Sequence, residues 1–285
     1  MTCRHLAWFG ISIALALAIV ATAAIFKQSR RESALENRLG QMVPVGTESE
    51  VLCPSRAGPR PLILLALGQS NAGNHGAPGA QTMDLVTMIA GDKCISAHDP
   101  LPGATGTGAS IWPRVAAQVS RDQTGRQVLI SLLALESSSI DEWTRPGSAL
   151  RQRLASQLAS MKRLGLPPDY ILWQQGEADA RDGTSANQYA TKLDQLADIL
   201  SQAGANAPIL LAQSTVCRTL PNTEIRTAMT LRVAQGGRWR KGPDTDTLIG
   251  SQFRRDGCHL SAAGLEATAK MWAAELAAAE NLPKR

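Results

Sequence analysis

The chain has 285 residues, with 29 Lys and Arg against 24 Asp and Glu, for a formal charge of +5. The basic excess is mild and spread along the chain, and no basic stripe with interleaved aromatics appears, so nucleic-acid binding has no support. About 225 residues from position 61 onward are enough for one domain with a substantial core.

Residues 6–26 form an almost unbroken apolar run without a charge. At about 1.5 Å per residue such a helix spans a hydrocarbon core of roughly 30 Å. Two readings compete: an uncleaved single-pass anchor, or a secretory signal peptide with Ala21-Thr22-Ala23 as its cleavage site. The run exceeds the roughly 7 to 15 residues of a signal h-region, which favours the anchor. Arg4 before the run against Lys27, Arg30 and Arg31 after it favours a cytoplasmic domain by the positive-inside rule. Cysteine usage points the other way. Beyond Cys3 there remain Cys53, Cys94, Cys217 and Cys258, an even number compatible with two disulfides in an oxidising compartment, and none has Cys-x-x-Cys spacing. The extracytoplasmic side is the expectation, for a membrane-anchored or secreted protein. Residues 27–58 read as a stalk or linker, helical between Arg30 and Leu39 and loop-like through Pro44, Gly46, Pro54, Gly58 and Pro59.

From Pro61 apolar strands alternate with amphipathic helices. The strand candidates are 62–67, 127–135, 170–174, 209–213 and 247–249, and the helix candidates are 112–120, 148–164, 185–203, 223–234 and 261–279. Ser261 is placed as an N-cap before a stretch rich in good helix formers. This alternation predicts an α/β domain over 59–285, with a parallel sheet covered on both faces. Residues 73–110 are rich in glycine and proline, and a loop that long inside a compact domain is usually functional.

Ligands of open parallel sheets bind at the carboxyl ends of the strands. The first strand ends on Gly68-Gln69-Ser70-Asn71, the second on Glu136-Ser137-Ser138-Ser139-Ile140-Asp141-Glu142-Trp143, and the third on Gln174-Gln175-Gly176-Glu177-Ala178-Asp179. The last strand is followed by Asp256-Gly257-Cys258-His259-Leu260. Of the four histidines only His259 follows an aspartate by three residues at a loop-to-helix junction. A serine nucleophile, an imidazole base and an orienting carboxylate make an acyl-transfer site. Asp256-Gly257 is equally readable as a plain turn with His259 on the surface.

The blocks GQSN at 68–71, WQQGEAD at 173–179 and DGCHL at 256–260 together resemble the SGNH/GDSL hydrolase superfamily, in its branch of sialate O-acetylesterases and carbohydrate esterase family 6. The resemblance covers residues 61–281 and implies a three-layer α/β/α flavodoxin-like domain. It implies Ser70 as nucleophile, His259 as general base and Asp256 as its orienting carboxylate. It also implies an oxyanion hole from the Ser70 N–H and a backbone N–H after the second strand, where Ser137 stands in place of the family's glycine. The superfamily's asparagine donor has no counterpart, and Gln175 is expected to substitute for it. Gln69, Asn71, Gly176, Glu177 and Asp179 are motif positions that bind substrate or hold loops, and Trp143 either stacks on a sugar or packs. Ser110 and Trp112 are expected to cap and pack a helix. The implied activity is removal of short acyl groups, foremost O-acetyl, from carbohydrate through an acyl-enzyme, without metal or organic cofactor. The alternatives are a carbohydrate O-acyltransferase with the same triad and a catalytically silent carbohydrate-binding module. The even count of cysteines, with Cys258 beside His259, leads us to expect the pairs Cys53–Cys94 and Cys217–Cys258.

Overall fold

The computed structural model describes residues 28–46, 48–54, 60–82, 84–123 and 125–281, together with Thr22 and Phe26. Strand β1 (Ser49–Val51) follows a helix over residues 28–39, α1. Then come β2 (Leu62–Gly68), β3 (Val86–Ala90), β4 (Lys93–Ala97), α2 (Trp112–Asp122), β5 (Val128–Ala134), α3 (Ile140–Thr144) and α4 (Ala149–Arg163). The second half runs β6 (Tyr170–Gln174), α5 (Glu177–Asp182), α6 (Ala186–Gln202), β7 (Ile209–Gln213), α7 (Thr223–Gln235), β8 (Trp239–Asp244) and α8 (Ala262–Glu280).

The described strands form one eight-stranded sheet in the order β1-β4-β3-β5-β2-β6-β7-β8. Only β4 runs against the others. β2 is buried along its whole length because its two faces serve two cores. Ile63, Leu65 and Leu67 pack with α4, α6 and α7, whereas Leu62, Leu64 and Ala66 pack with α2 and α8. Two-sided burial is why this strand reads as a continuous apolar run rather than an alternation. The result is the expected three-layer α/β/α architecture. β5 flanks β2 on one side and β6 on the other, so the chain builds one half of the sheet, then crosses to build the second. The carboxyl end of β2 lies at that switch, where doubly wound sheets bind ligands.

Three expectations need correction. Residues 28–54 are not a free stalk. Leu35 and Met42 are buried in the core with residues of α3 and α4, the Val43 N–H donates to Ala104 O while Val43 O accepts from the Gly103 N–H, and β1 pairs with β4. A few apolar side chains in a polar stretch suffice for this docking, and Cys53–Cys94 ties its end to β4. The loop-rich stretch 73–110 contains the β3–β4 hairpin, closed by Gly91-Asp92 with Gly91 at φ 60°. The final strand is β8, not 247–249. Its sequence WRKGPD is an edge strand with exposed charges, and Gly242 is required because a Cβ there would meet the Leu211 backbone at 2.7 Å. Thr247 instead ends a short 3-10 turn.

No helix among the described residues is long and apolar enough to cross a membrane. Residues 6–26, the expected anchor or signal peptide, lie outside the described residues apart from Thr22 and Phe26.

Candidate active site

Gly68 ends β2 where a Cβ would come within 2.1 Å of Gln174 O, so only glycine lets β2 pass this close to β6. The chain then turns into a short 3-10 helix, Ser70–Ala72, pinned by Trp112 Nε1 donating to Ala72 O at 2.7 Å. This sets Ser70 at the edge of a cavity of about 810 Å³, which Gln69, Ser137, Glu177, Arg218 and His259 also line.

The loop 254–260 carries the other two catalytic candidates. Asp256 Oδ1 accepts from the backbone N–H of Cys258 at 2.9 Å and of His259 at 2.7 Å, and its Oδ2 lies 2.8 Å from His259 Nδ1. A carboxylate can only accept here, so Nδ1 carries a proton, and the neutral tautomer with this contact has its lone pair on Nε2. Partial burial pushes the Asp256 carboxyl up, but the hydrogen bonds from the His259 ring and the two backbone groups outweigh it and hold the carboxyl well below the usual range. The aspartate therefore stays ionised through the neutral range.

Several groups brace that loop. Buried Arg254 donates to Leu248 O, Thr245 O and Cys258 O. Cys258 is bonded to Cys217, and Asn71 Nδ2 reaches Cys258 O at 3.2 Å. The His75 ring stacks on that of His259, with centroids 5.3 Å apart and planes 24° from parallel. Burial pushes the His75 imidazole down to about 4, so His75 is a neutral plate against the base.

Ser137 lines the cavity with φ at 52°, so the serine takes up the left-handed conformation that glycine favours. An L-residue there costs about 1–2 kcal/mol. Its N–H has no acceptor among the described residues, leaving it available to a ligand. The sequence-based assignment of Gln175 does not hold. Its Nε2 donates to Asp179 Oδ2 at 2.6 Å and Ser138 O at 2.8 Å, its Oε1 accepts from the Tyr189 hydroxyl at 2.7 Å, and the residue is fully buried outside the cavity lining. One amide hydrogen is used on the serine loop at Ser138 O and the other on Asp179, so none is free for an oxyanion.

The remaining motif positions divide between site and scaffold. Gln69 Oε1 accepts from the Ala178 N–H at 3.1 Å. Gly176 has no room for a side chain, since a Cβ would sit 2.7 Å from Ser214 O. Glu177 is buried at the cavity wall, accepts from Asn71 Nδ2 and Ser214 Oγ, and leaves Oε2 without a partner among the described residues. Burial pushes its carboxyl up to about 7 against the pull of the Asn71 hydrogen bond. Asp179 accepts from the Ile140 N–H, Gln175 and Thr184, a clamp between the second and third loops. Trp143 packs edge-on against Trp173 in the core, so it is no sugar platform. Trp112 likewise packs, against Trp272. His75 and Arg254 were missed from sequence. A histidine in a glycine-rich loop and an arginine in a charged triplet give no local signal of burial.

A family model described as carbohydrate esterase, sialic acid-specific acetylesterase, matches residues 61–278. No curated protein matches the chain. Among solved structures, a protein from Arabidopsis thaliana superposes with a TM-score of 0.57 at 20% identity, covering 78% of this chain and 99% of that one. A carbohydrate acetylesterase from Xanthomonas citri gives 0.51 at 14% identity, over 74% of this chain and 54% of the other. A carbohydrate esterase family 3 protein from Talaromyces cellulolyticus gives 0.50 at 12% identity, over 78% and 100%. At such identities the superpositions speak for the fold, and the family match, which spans most of the chain and all three sequence blocks, speaks for ancestry. The chain belongs to the carbohydrate esterase, sialic acid-specific acetylesterase family.

Proposed function

We propose that this carboxylic ester hydrolase removes acetyl groups from carbohydrate by a Ser70–His259–Asp256 triad and an acyl-enzyme. The observation that carries this reading is the 2.8 Å contact of His259 Nδ1 with Asp256 Oδ2, on a histidine that lines the same cavity as Ser70.

Ser70 Oγ attacks the ester carbonyl while His259 Nε2 takes its proton, and the ionised Asp256 stabilises the imidazolium. The backbone N–H groups of Ser70 and Ser137 are the oxyanion donors in this scheme. Collapse of the intermediate expels the sugar oxygen, which His259 protonates, leaving acetyl on Ser70. Water, deprotonated by His259, attacks the acetyl carbonyl, and acetate departs as Ser70 regains its proton. Gln69 and Glu177 border the cavity where the sugar would lie, while Asn71, Gly176 and Asp179 hold its walls.

Two disulfides support a domain that works in an oxidising, extracytoplasmic compartment. The apolar segment 6–26 would then anchor the protein to the membrane or direct its export. Acetate release from a panel of acetylated sugars and cell-envelope polymers, with wild type beside Ser70→Ala, tests the reading. Release by wild type and none by the variant is expected. Equal release by both would remove Ser70 as nucleophile.

A further inference from the structure

Arg38 belongs to α1, upstream of the family-matched residues 61–278. Its guanidinium forks. Nη1 donates to Glu136 O at 2.9 Å, and Nη2 pairs with the Glu142 carboxylate. The side chain is only about one-fifth exposed. Glu136 O belongs to the same peptide unit as the Ser137 N–H. In a planar trans peptide the carbonyl and the N–H point in opposite directions. A cation fixed on the carbonyl side therefore aims the N–H to the other side, and Ser137 lines the cavity with Ser70 and His259.

We propose that Arg38 is a positioning residue for the oxyanion hole: through Glu136 O it orients and polarises the Ser137 N–H that receives the developing negative charge. The inference rests on the triad reading above. Three observations converge on it. First, the Ser137 N–H is without an acceptor among the described residues, on a residue that lines the cavity with Ser70 and His259. Second, Ser137 is held at φ 52°, where a non-glycine residue is strained and the adjoining peptide is prone to flip. A flip would turn the Glu136 carbonyl, rather than an N–H, toward the oxyanion. Third, the same peptide's neighbours are fastened from other sides: Glu136 N–H donates to Thr105 Oγ1 at 2.8 Å and Ser138 O accepts from Gln175 at 2.8 Å. Arg38 supplies the charged member of this set. A charge-assisted bond to a carbonyl also draws electron density toward oxygen and strengthens the N–H at the far end of the unit.

A serine at φ 52° and the arginine clamp fit together physically. Glycine adopts the required backbone without help, and serine does not. A clamp from α1 holds the serine in that backbone.

The test measures kcat and KM for p-nitrophenyl acetate in the full chain for wild type, Ser70→Ala, Arg38→Ala, Arg38→Lys and Glu142→Gln, with melting temperatures alongside. Removing an oxyanion donor outright costs roughly 100- to 1,000-fold in kcat, so mis-orienting one should cost roughly 10-fold, with KM within about 2-fold. Glu142→Gln removes the ion pair at the other arm of the fork and weakens the bond Glu142 accepts from the Ser139 N–H, while leaving Arg38 Nη1 on Glu136 O. It is expected to lower the melting temperature as much as Arg38→Ala and to leave kcat near wild type. Added guanidinium ion at millimolar concentration should restore part of the lost kcat of Arg38→Ala. Should that variant fail to fold, Arg38→Lys carries the test, because it keeps the ion pair with Glu142 and loses the fork. Wild-type kcat in the folded arginine variants, or an equal loss in Glu142→Gln, would overturn the inference. Persisting turnover in Ser70→Ala would instead overturn the triad reading, so the two failures are distinguishable.

Discussion

Glu177 offers a quantitative check on the electrostatics of the site. Its carboxyl is buried at the cavity wall, and burial raises it from the ordinary 4.5 to about 7. Between those values the folded protein holds a proton that the unfolded chain has released. Stability from this group is therefore full below pH 4.5 and declines as pH rises, levelling off above about 7. At about 1.36 kcal/mol per pH unit the interval corresponds to a loss of about 3 kcal/mol. Glu177→Gln removes the titration while keeping an oxygen to accept from Asn71 Nδ2 and Ser214 Oγ. The unpartnered position of Oε2 makes the neutral form the better fit. Denaturant unfolding of wild type and variant, compared at pH 4 and pH 8, isolates the effect, because all other titrating groups cancel in the difference. The variant should gain about 3 kcal/mol on wild type between the two pH values. Parallel pH dependences for the two proteins would show that Glu177 is ionised in the fold at no cost, and the argument from burial would fail.

Gln175→Ala takes one hydrogen bond each from the buried Asp179 carboxylate, the Tyr189 hydroxyl and Ser138 O, so it should destabilise by about 1–3 kcal/mol while kcat of the folded fraction stays within about 3-fold of wild type. Loss of kcat without loss of melting temperature would return Gln175 to the mechanism. Non-reducing peptide mapping should find Cys53–Cys94 and Cys217–Cys258, and Cys217→Ser with Cys258→Ser should cost about 4 kcal/mol of loop-closure entropy, given the separation of 41 residues. Four alkylatable thiols in material trapped at lysis would contradict both the pairing and an oxidising compartment.

The central strands and the long helices were legible because their burial is written in runs of residues. β2, β6 and β7 sit within a residue of where the apolar runs place them, and α8 begins directly after the expected cap, Ser261. The strand ends were legible for a different reason. Glycine and polar clusters are incompatible with continuing a buried strand, so Ser70 had to lie at an edge. Elements whose identity depends on a partner were not legible. β8 carries Arg240, Lys241 and Pro243, and only the close approach of Gly242 to Leu211 makes it a strand. The docking of α1 rests on Leu35 and Met42 finding a core that their own neighbours do not announce. Gln175 failed for the same reason. Its position at the end of β6 was read correctly, but whether an amide is free depends on Tyr189 and Asp179, whose direction is set by tertiary packing.

The measurement that bears most directly on the account is the site of covalent capture by an acyl-analogue inhibitor. Incubation of the full chain with a fluorophosphonate, followed by peptide mapping by mass spectrometry, should place the adduct on Ser70. Labelling should be lost in Ser70→Ala and slowed by several orders of magnitude in His259→Ala, since members of such a unit fail together. An adduct on a different serine, or p-nitrophenyl acetate turnover in Ser70→Ala near the wild-type rate, would contradict the assignment of Ser70 as the nucleophile and with it the mechanism built on it.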